Sequence, residues 1–419
     1  MTLLAIIAIF LLMLLGTPLF IIFSGLTLFL LFFGHIDSSA MIIEMHRMAT
    51  TPILVAIPLF TFAGYLLSES GAPKRLIRLT DALLGWLPGG LSIIVLSTCA
   101  AFTALTGATG ITIIALGGIL YPALLQGKYP EKFSLGLVTN SGTLGLLFPP
   151  SLPMIIYAIV SKLQVNHLFL AGILPGILLV LLLSIFSIHK AVTVKVPRTR
   201  FNMPRMFSAL KESVWELPLP IVVLGGIYSG YFAVSEAAAI TALYVLLVEV
   251  ILYRDIKWRD LPNVMRKSMV LVGGILIILG SALGLTNYLI DAEVPMKLFN
   301  LFKAFTDSPF IFLILLNLFL LVVGCLMDIF SALIVVVPLI TPIANAYGIH
   351  PIHLGIIFLT NLQIGASTPP VGMNLFIASL RFEKPMTRVI MASLPFIAIL
   401  LITLAIITYV PWLSLALVK

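Results

Sequence analysis

The chain reads GLLFPPSLP at Gly145–Pro153 and GASTPPVGM at Gly365–Met373, each a Pro-Pro pair set inside a long apolar run. One proline removes a helix hydrogen-bond donor and its ring clashes with the preceding turn, so a pair breaks a helix outright. The two pairs stand 220 positions apart (369 − 149). Without gaps, the same offset relates Gly64 to Gly284, Pro122 to Pro342, Gly145 to Gly365, Ala158 to Ala378 and Pro175 to Pro395. Agreement that extends element by element marks an internal repeat.

The 419 residues are 61% hydrophobic and only 10% charged. A soluble domain is about half apolar and a quarter charged, so this is a polytopic, all-α membrane protein. The N-terminal run has no basic leader region and stays apolar to Phe33, which reads as a retained first span. The formal net charge of +8 sits in short clusters between apolar runs, the pattern of cytoplasmic loops and not of a nucleic-acid surface. Cys99 and Cys325 are isolated in apolar sequence, with neither a disulfide framework nor metal-ligand spacing.

Two apolar stretches, Leu91–Gln126 and Pro309–Ala346, are about twice as long as one crossing. Each is interrupted near its middle, by TGATG (Thr106–Gly110) and by GCLMDIFS (Gly324–Ser331). Both are expected to be re-entrant hairpins, each followed by a broken helix, at 132–160 and 352–380. The basic clusters are Lys74/Arg75/Arg78, Lys128/Lys132, Lys190 through Lys211, Arg254 through Lys267, and Arg381/Lys384/Arg388. With both hairpins returning, all five fall on one face, the cytoplasmic one. The N-terminus is then inside and Lys419 outside.

The expected organisation is a first repeat over 1–189, a basic cytoplasmic linker over 190–216, an extra span over 217–233 and a second repeat over 234–419. The odd span inverts the second half. An inverted-topology repeat is an architecture of secondary transporters. Residues 68–90 and 291–308 occupy matching places and look like amphipathic helices lying at the membrane interface.

A broken helix exposes carbonyl oxygens at one half-helix end and amide groups at the other, able to hold cations and anions respectively. Hydroxyls near the first break come from Thr103, Thr106, Thr109 and Ser151; near the second stand Asp328, Ser367 and Thr368, with Asn140 and Asn361 upstream of each break. Gly145, Pro149, Pro150, Pro369 and Pro370 complete the expected substrate and hairpin region. Hydroxyls inside helices also bond back to their own carbonyls, so each has a purely structural alternative. For Asp328 that alternative is a hydrogen bond across the hairpin. Glu249 lies deep in a span without an evident partner, whereas Glu236 suits a helix N-terminus. The sequence has no G-x-x-x-x-G-K-[ST], H-E-x-x-H or G-x-S-x-G, so no enzyme activity and no organic cofactor are expected.

IPLFTFAGYLLSESGAPKRLIRLTDALLGWLPGGLS, GLLFPPSLPMIIYAIVSKLQVNHLFLAGILPG, VSEAAA, MDIFSALIVVVPLITPIANAYGIHPIHLGII and NLQIGASTPPVGMNLFIASL resemble one family. It is the large membrane subunit of tripartite ATP-independent periplasmic (TRAP) transporters, and the resemblance runs over nearly the whole chain. It implies an elevator-type fold like that of the ion-transporter superfamily, in the bacterial inner membrane. It also implies sodium-coupled import of an organic acid such as sialic acid or a C4-dicarboxylate. Implied partners are a separate small four-helix membrane subunit and a periplasmic substrate-binding protein. The family's sodium sites would fall on Thr103, Thr106 and Ser151, and on Asp328, Gly365 and Thr368. A one-component sodium/dicarboxylate symporter sharing the hairpins is the alternative; a passive channel would not need opposed hairpins.

Overall fold

The computed structural model describes residues 17–196 and 202–418, and these form helices joined by short turns, with no strand among them. The N-terminal part of the first span, residues 197–201 of the linker and Lys419 lie outside the described residues. Among the described residues, seven helices are long and apolar enough to cross a membrane, or up to nine if each of two bent pairs is one span. Prolines open several helices (Pro218, Pro309 and Pro351), where the missing N–H has no partner to lose.

The 220-residue repeat is visible in three dimensions. Leu261–Asp291 is one continuous helix, whereas the matching region of the first half is split into Ser39–Ala49 and Ala56–Glu69. Pro52 stands at the split, and its counterpart is Val272. Leu261–Asp291 packs on Leu19–Phe33 and Ala56–Glu69, and Val234–Leu246 packs on Ala56–Glu69, forming a scaffold. Beside it lie Gly90–Thr106 with its return Thr109–Gln126, and Pro309–Leu326 with its return Ile329–Ala346. The last long helix of each half crosses to the other half's broken helix. Met386–Tyr409 lies on Glu131–Ser141, and Val165–Thr193 lies on Pro351–Gly365.

Two features differ from the simplest expectation. The apolar segment at 217–231 contains the helix Pro218–Tyr228, whose 11 residues rise only about 16 Å, half the hydrocarbon thickness. Within the basic linker, Met203–Glu212 is an amphipathic helix capped by Asn202. It packs Ala209 against Leu79 and Ala82 of the interfacial helix Ala72–Leu84, and Arg78 pairs with Glu212 at 2.7 Å.

Described members of the five basic clusters are drawn together in two groups of contacts. Arg75 and Arg78 reach acidic residues of the linker and of the segment after Val234–Leu246, and Lys267 pairs with Glu69 at 2.7 Å. Lys384 pairs with Glu131 at 2.5 Å, and Lys132 and Lys190 line one surface cleft.

Candidate functional site

In the first hairpin, Gly90–Thr106 ends in Gly107, whose φ of +67° is open to glycine and strained for other residues. The chain restarts as helix at Thr109. Opposite this tip, Glu131–Ser141 gives way to a tight turn at Leu144–Leu147, the cis Pro149-Pro150 bond, and a new helix from Leu152. Gly145 is the contact point: a methyl group there would lie 2.5 Å from Thr103 Cβ and would collide with the backbone of Ala100 and Ala104. Gly107 likewise leaves room for Leu152, next to Ser151.

The second site repeats this arrangement. Pro309–Leu326 ends before Met327 and Asp328, and helix resumes at Ile329. Pro351–Gly365 ends at a turn containing the cis Pro369-Pro370 bond, and helix resumes at Met373. A methyl group on Gly365 would sit 2.6 Å from Gly324 Cα. Gly324 is the 220-residue counterpart of Ala104, so both breaks press on the same point of their hairpins. The Cys325 carbonyl accepts from Gly372 N–H at 3.1 Å, closing tip onto break.

The expected ligands divide by their hydrogen bonds. Thr103 Oγ donates to the Gly142 carbonyl at 2.9 Å and lies 2.7 Å from Thr112 Oγ, which ties both hairpin arms to the break. Thr106 Oγ and Ser151 Oγ are buried without a hydrogen-bond partner. Such hydroxyls are costly unless a ligand or water meets them. Thr368 Oγ donates back to Ile364 at 2.8 Å. Asp328 caps Ile329–Ala346, accepting from the amides of Phe330 (3.0 Å) and Ser331 (3.1 Å) and from the Ser331 hydroxyl. This bond is local to the returning helix and does not cross the hairpin.

Asn140 and Asn361 are alike. Each donates from its amide nitrogen to the carbonyl four residues back, at 2.7 and 2.9 Å, and keeps a buried, unpartnered carbonyl oxygen. Asn361 also donates to Asn317 at 2.7 Å. Pro149 and Pro150 are buried, Ser367 is buried, Pro369 is half-buried and Pro370 is exposed. The prolines of the first break are buried, with Phe148 and Pro149 at the wall of a cleft beside the first hairpin, while the second break reaches the surface at Pro370.

Sequence reasoning passed over two amides. Gln363 is fully buried with neither side-chain polar atom paired, and Asn374 is fully buried and hydrogen-bonded to Thr109 at 2.9 Å. A lone amide in an apolar run was the available signal. The oxygens at the two breaks are almost all neutral, from hydroxyls, carboxamides and backbone, a donor set suited to a small hard cation.

Over residues 6–413 the chain matches the model of the tripartite ATP-independent periplasmic transporter, DctM component. It is 36% identical to the C4-dicarboxylate TRAP transporter large permease protein DctM of Pseudomonas aeruginosa, covering 93% of this chain and 91% of that one. The chain belongs to the TRAP large-permease family. The sialic acid TRAP transporter large permease protein SiaM of Vibrio cholerae is 30% identical, over 87% of this chain and 86% of its own. The YdaH transporter of Alcanivorax borkumensis, whose structure has an unusual topology, superposes with a TM-score of 0.67 at 14% identity, covering 91% of this chain and 89% of its own. That likeness concerns fold alone. As a TRAP large permease, the chain is a multi-pass protein of the bacterial inner membrane.

This TRAP permease also carries a charge cluster away from the breaks. Arg75 on the interfacial helix meets Glu216, Glu249 at 2.8 Å and Asp255 at 2.6 Å, and stacks 3.8 Å from the centre of the Tyr253 ring. Burial pushes the Glu216 carboxyl above its ordinary range, and Arg75 beside it pulls it back. The otherwise isolated Glu249 thus has its partner, supplied from 174 residues away.

Proposed function

We propose that this chain is the transport subunit of a sodium-coupled importer of a small organic acid. In this reading it works with a separate small four-helix membrane subunit, and a periplasmic substrate-binding protein delivers the acid. The observation that carries it is the paired construction of tip and break. At two places 220 residues apart, a glycine locks a hairpin against an interrupted helix, and at the first of them Thr106 and Ser151 hold buried hydroxyls without partners. Hydroxyls and freed carbonyls would ligate sodium at the first site, with Thr103 positioning the tip. At the second, Asp328, Gly365, Ser367 and Thr368 belong to the tip and break, and Asp328 would add charge through Oδ2, which takes only the Ser331 hydroxyl.

Sodium seated between tip and break would hold the two together. The hairpins and broken helices would then travel against the scaffold as one body, carrying the acid across in an elevator-type movement. The substrate class is supported by the relatives' named cargoes, C4-dicarboxylate and sialic acid, both of which are carboxylic acids. Family membership favours the multi-component system over a one-component symporter.

The test is uptake into vesicles containing the chain and its small subunit, with the binding protein outside. Uptake of a radiolabelled C4-dicarboxylate or sialic acid should require both the binding protein and an inward sodium gradient. Undiminished uptake with potassium in place of sodium would overturn the coupling.

A further inference from the structure

Asn374 stands at the second position of the helix that follows the second break, and its side chain is fully buried. Its carboxamide oxygen accepts from Thr109 Oγ at 2.9 Å, and its amide nitrogen reaches Ser367 Oγ at 3.4 Å. Its backbone N–H donates to the Ala366 carbonyl at 2.9 Å, which fixes it to the break itself. One amide therefore bridges the first hairpin tip and the second break, two parts separated by 265 residues between Thr109 and Asn374.

The surroundings favour a built link over an accidental one. Next to Thr109, Gly110 makes room for Ile377, since a methyl there would lie 2.6 Å from Ile377 Cδ1. One turn on, Arg381 Nε donates to the Ile114 carbonyl at 3.0 Å. The return arm of the first hairpin is thereby fastened along the helix that Asn374 begins. The repeat offers no mirror image: the counterparts of Thr109 and Asn374 are Ile329 and Met154, both apolar. The side-chain to side-chain link between first tip and second break is therefore made in one arrangement and has no counterpart in the other half. The carboxamide uses its oxygen as acceptor toward Thr109 and its nitrogen as donor toward Ser367, so one side chain serves both parts at once. In a dry interior, moving either end leaves a polar group unpaired.

We propose that Asn374 is a positioning residue that couples the first ion site to the second break. Thr109 opens the return arm three residues after Thr106, across the non-helical tip Gly107–Ala108, and the Thr106 hydroxyl is buried without a partner among the described residues. A cation drawn to Thr106 and Ser151 orders that tip, and Asn374 passes the ordering to Ser367 and Thr368. Sodium binding at the two places is then cooperative. The inference rests on the sodium reading above.

The test is equilibrium binding of sodium-22 to the purified chain, with choline as the inert cation. Wild type should bind with a Hill coefficient above one. Asn374→Leu and Thr109→Val should each lower it toward one and raise half-saturation about tenfold, the worth of one buried hydrogen bond. The double variant should be no worse than either single one, because both remove the same link. Thr109→Ser should restore wild-type behaviour, and a purely structural role would not follow the hydroxyl in this way. Should Asn374→Leu fail to fold, Thr109→Val removes the link from its other end. Folded variants with an unchanged Hill coefficient, or additive losses in the double variant, would overturn the coupling. Absence of saturable sodium binding in wild type is a distinct outcome, which removes the sodium reading and the coupling together.

Discussion

Gly365 rests against Gly324 so closely that a methyl group on the first would fall 2.6 Å from Cα of the second. The same contact recurs 220 residues earlier between Gly145 and Ala104. Contacts of backbone with backbone cannot be relieved by turning a side chain.

Gly145→Ala and Gly365→Ala should each separate a break from its tip. Overpacking of this kind costs about 1–3 kcal/mol, and the loss should appear as a lower unfolding temperature in detergent. Uptake should fall further than stability does, because the ligating oxygens move with the break. Gly225→Ala, a site with nothing within 4 Å of an added methyl, is the control and should behave as wild type.

Thr106→Val removes a hydroxyl that has no hydrogen-bond partner among the described residues. Replacing it with a methyl of similar size should leave the unfolding temperature unchanged or slightly raised. Sodium-driven uptake should nevertheless drop at least several-fold, and its half-saturating sodium concentration should rise. Ser151→Ala should do the same, whereas Thr103→Val should also destabilise, since Thr103 holds Gly142 and Thr112.

Asp328 has two duties that substitutions can separate. As the cap of Ile329–Ala346 it should tolerate Asn and resist Ala, with Asp328→Ala costing about 0.5–2 kcal/mol. Asp328→Asn should keep the unfolding temperature and lose sodium-dependent uptake. Full uptake in Asp328→Asn would assign the residue to capping alone.

Arg75→Met strands Glu216, Glu249 and Asp255. Leaving the buried Glu216 and Glu249 without their cation should cost about 3–5 kcal/mol, read as a large fall in unfolding temperature. Arg75→Lys should restore only part of it, because an ammonium lacks the planar fork that reaches three partners.

The sequence carried its message wherever geometry leaves a periodic or chemical trace. The Pro-Pro pairs and the shared offset exposed both breaks, and the motifs TGATG and GCLMDIFS located both tips because small or polar residues interrupt apolar runs there. The clustering of basic residues was likewise legible. What stayed hidden depends on partners far apart in the chain. Arg75 and Glu249 look unrelated at 174 residues' separation, and Thr109 and Asn374 are farther still. Hydroxyl chemistry was also ambiguous: Thr368 bonds back to Ile364 while Thr106 has no partner among the described residues, and no pattern of residue types tells one from the other.

The crossing of the final helices has a consequence for how the protein is made. Gly136 leaves a notch on the first broken helix that the backbone of Ala392 fills, and a methyl group there would collide with the Ala392 carbonyl. That filling strand of chain is synthesised more than 250 residues later. Throughout insertion, therefore, the notch at Gly136 has no partner from its own chain until the helix Met386–Tyr409 has been made.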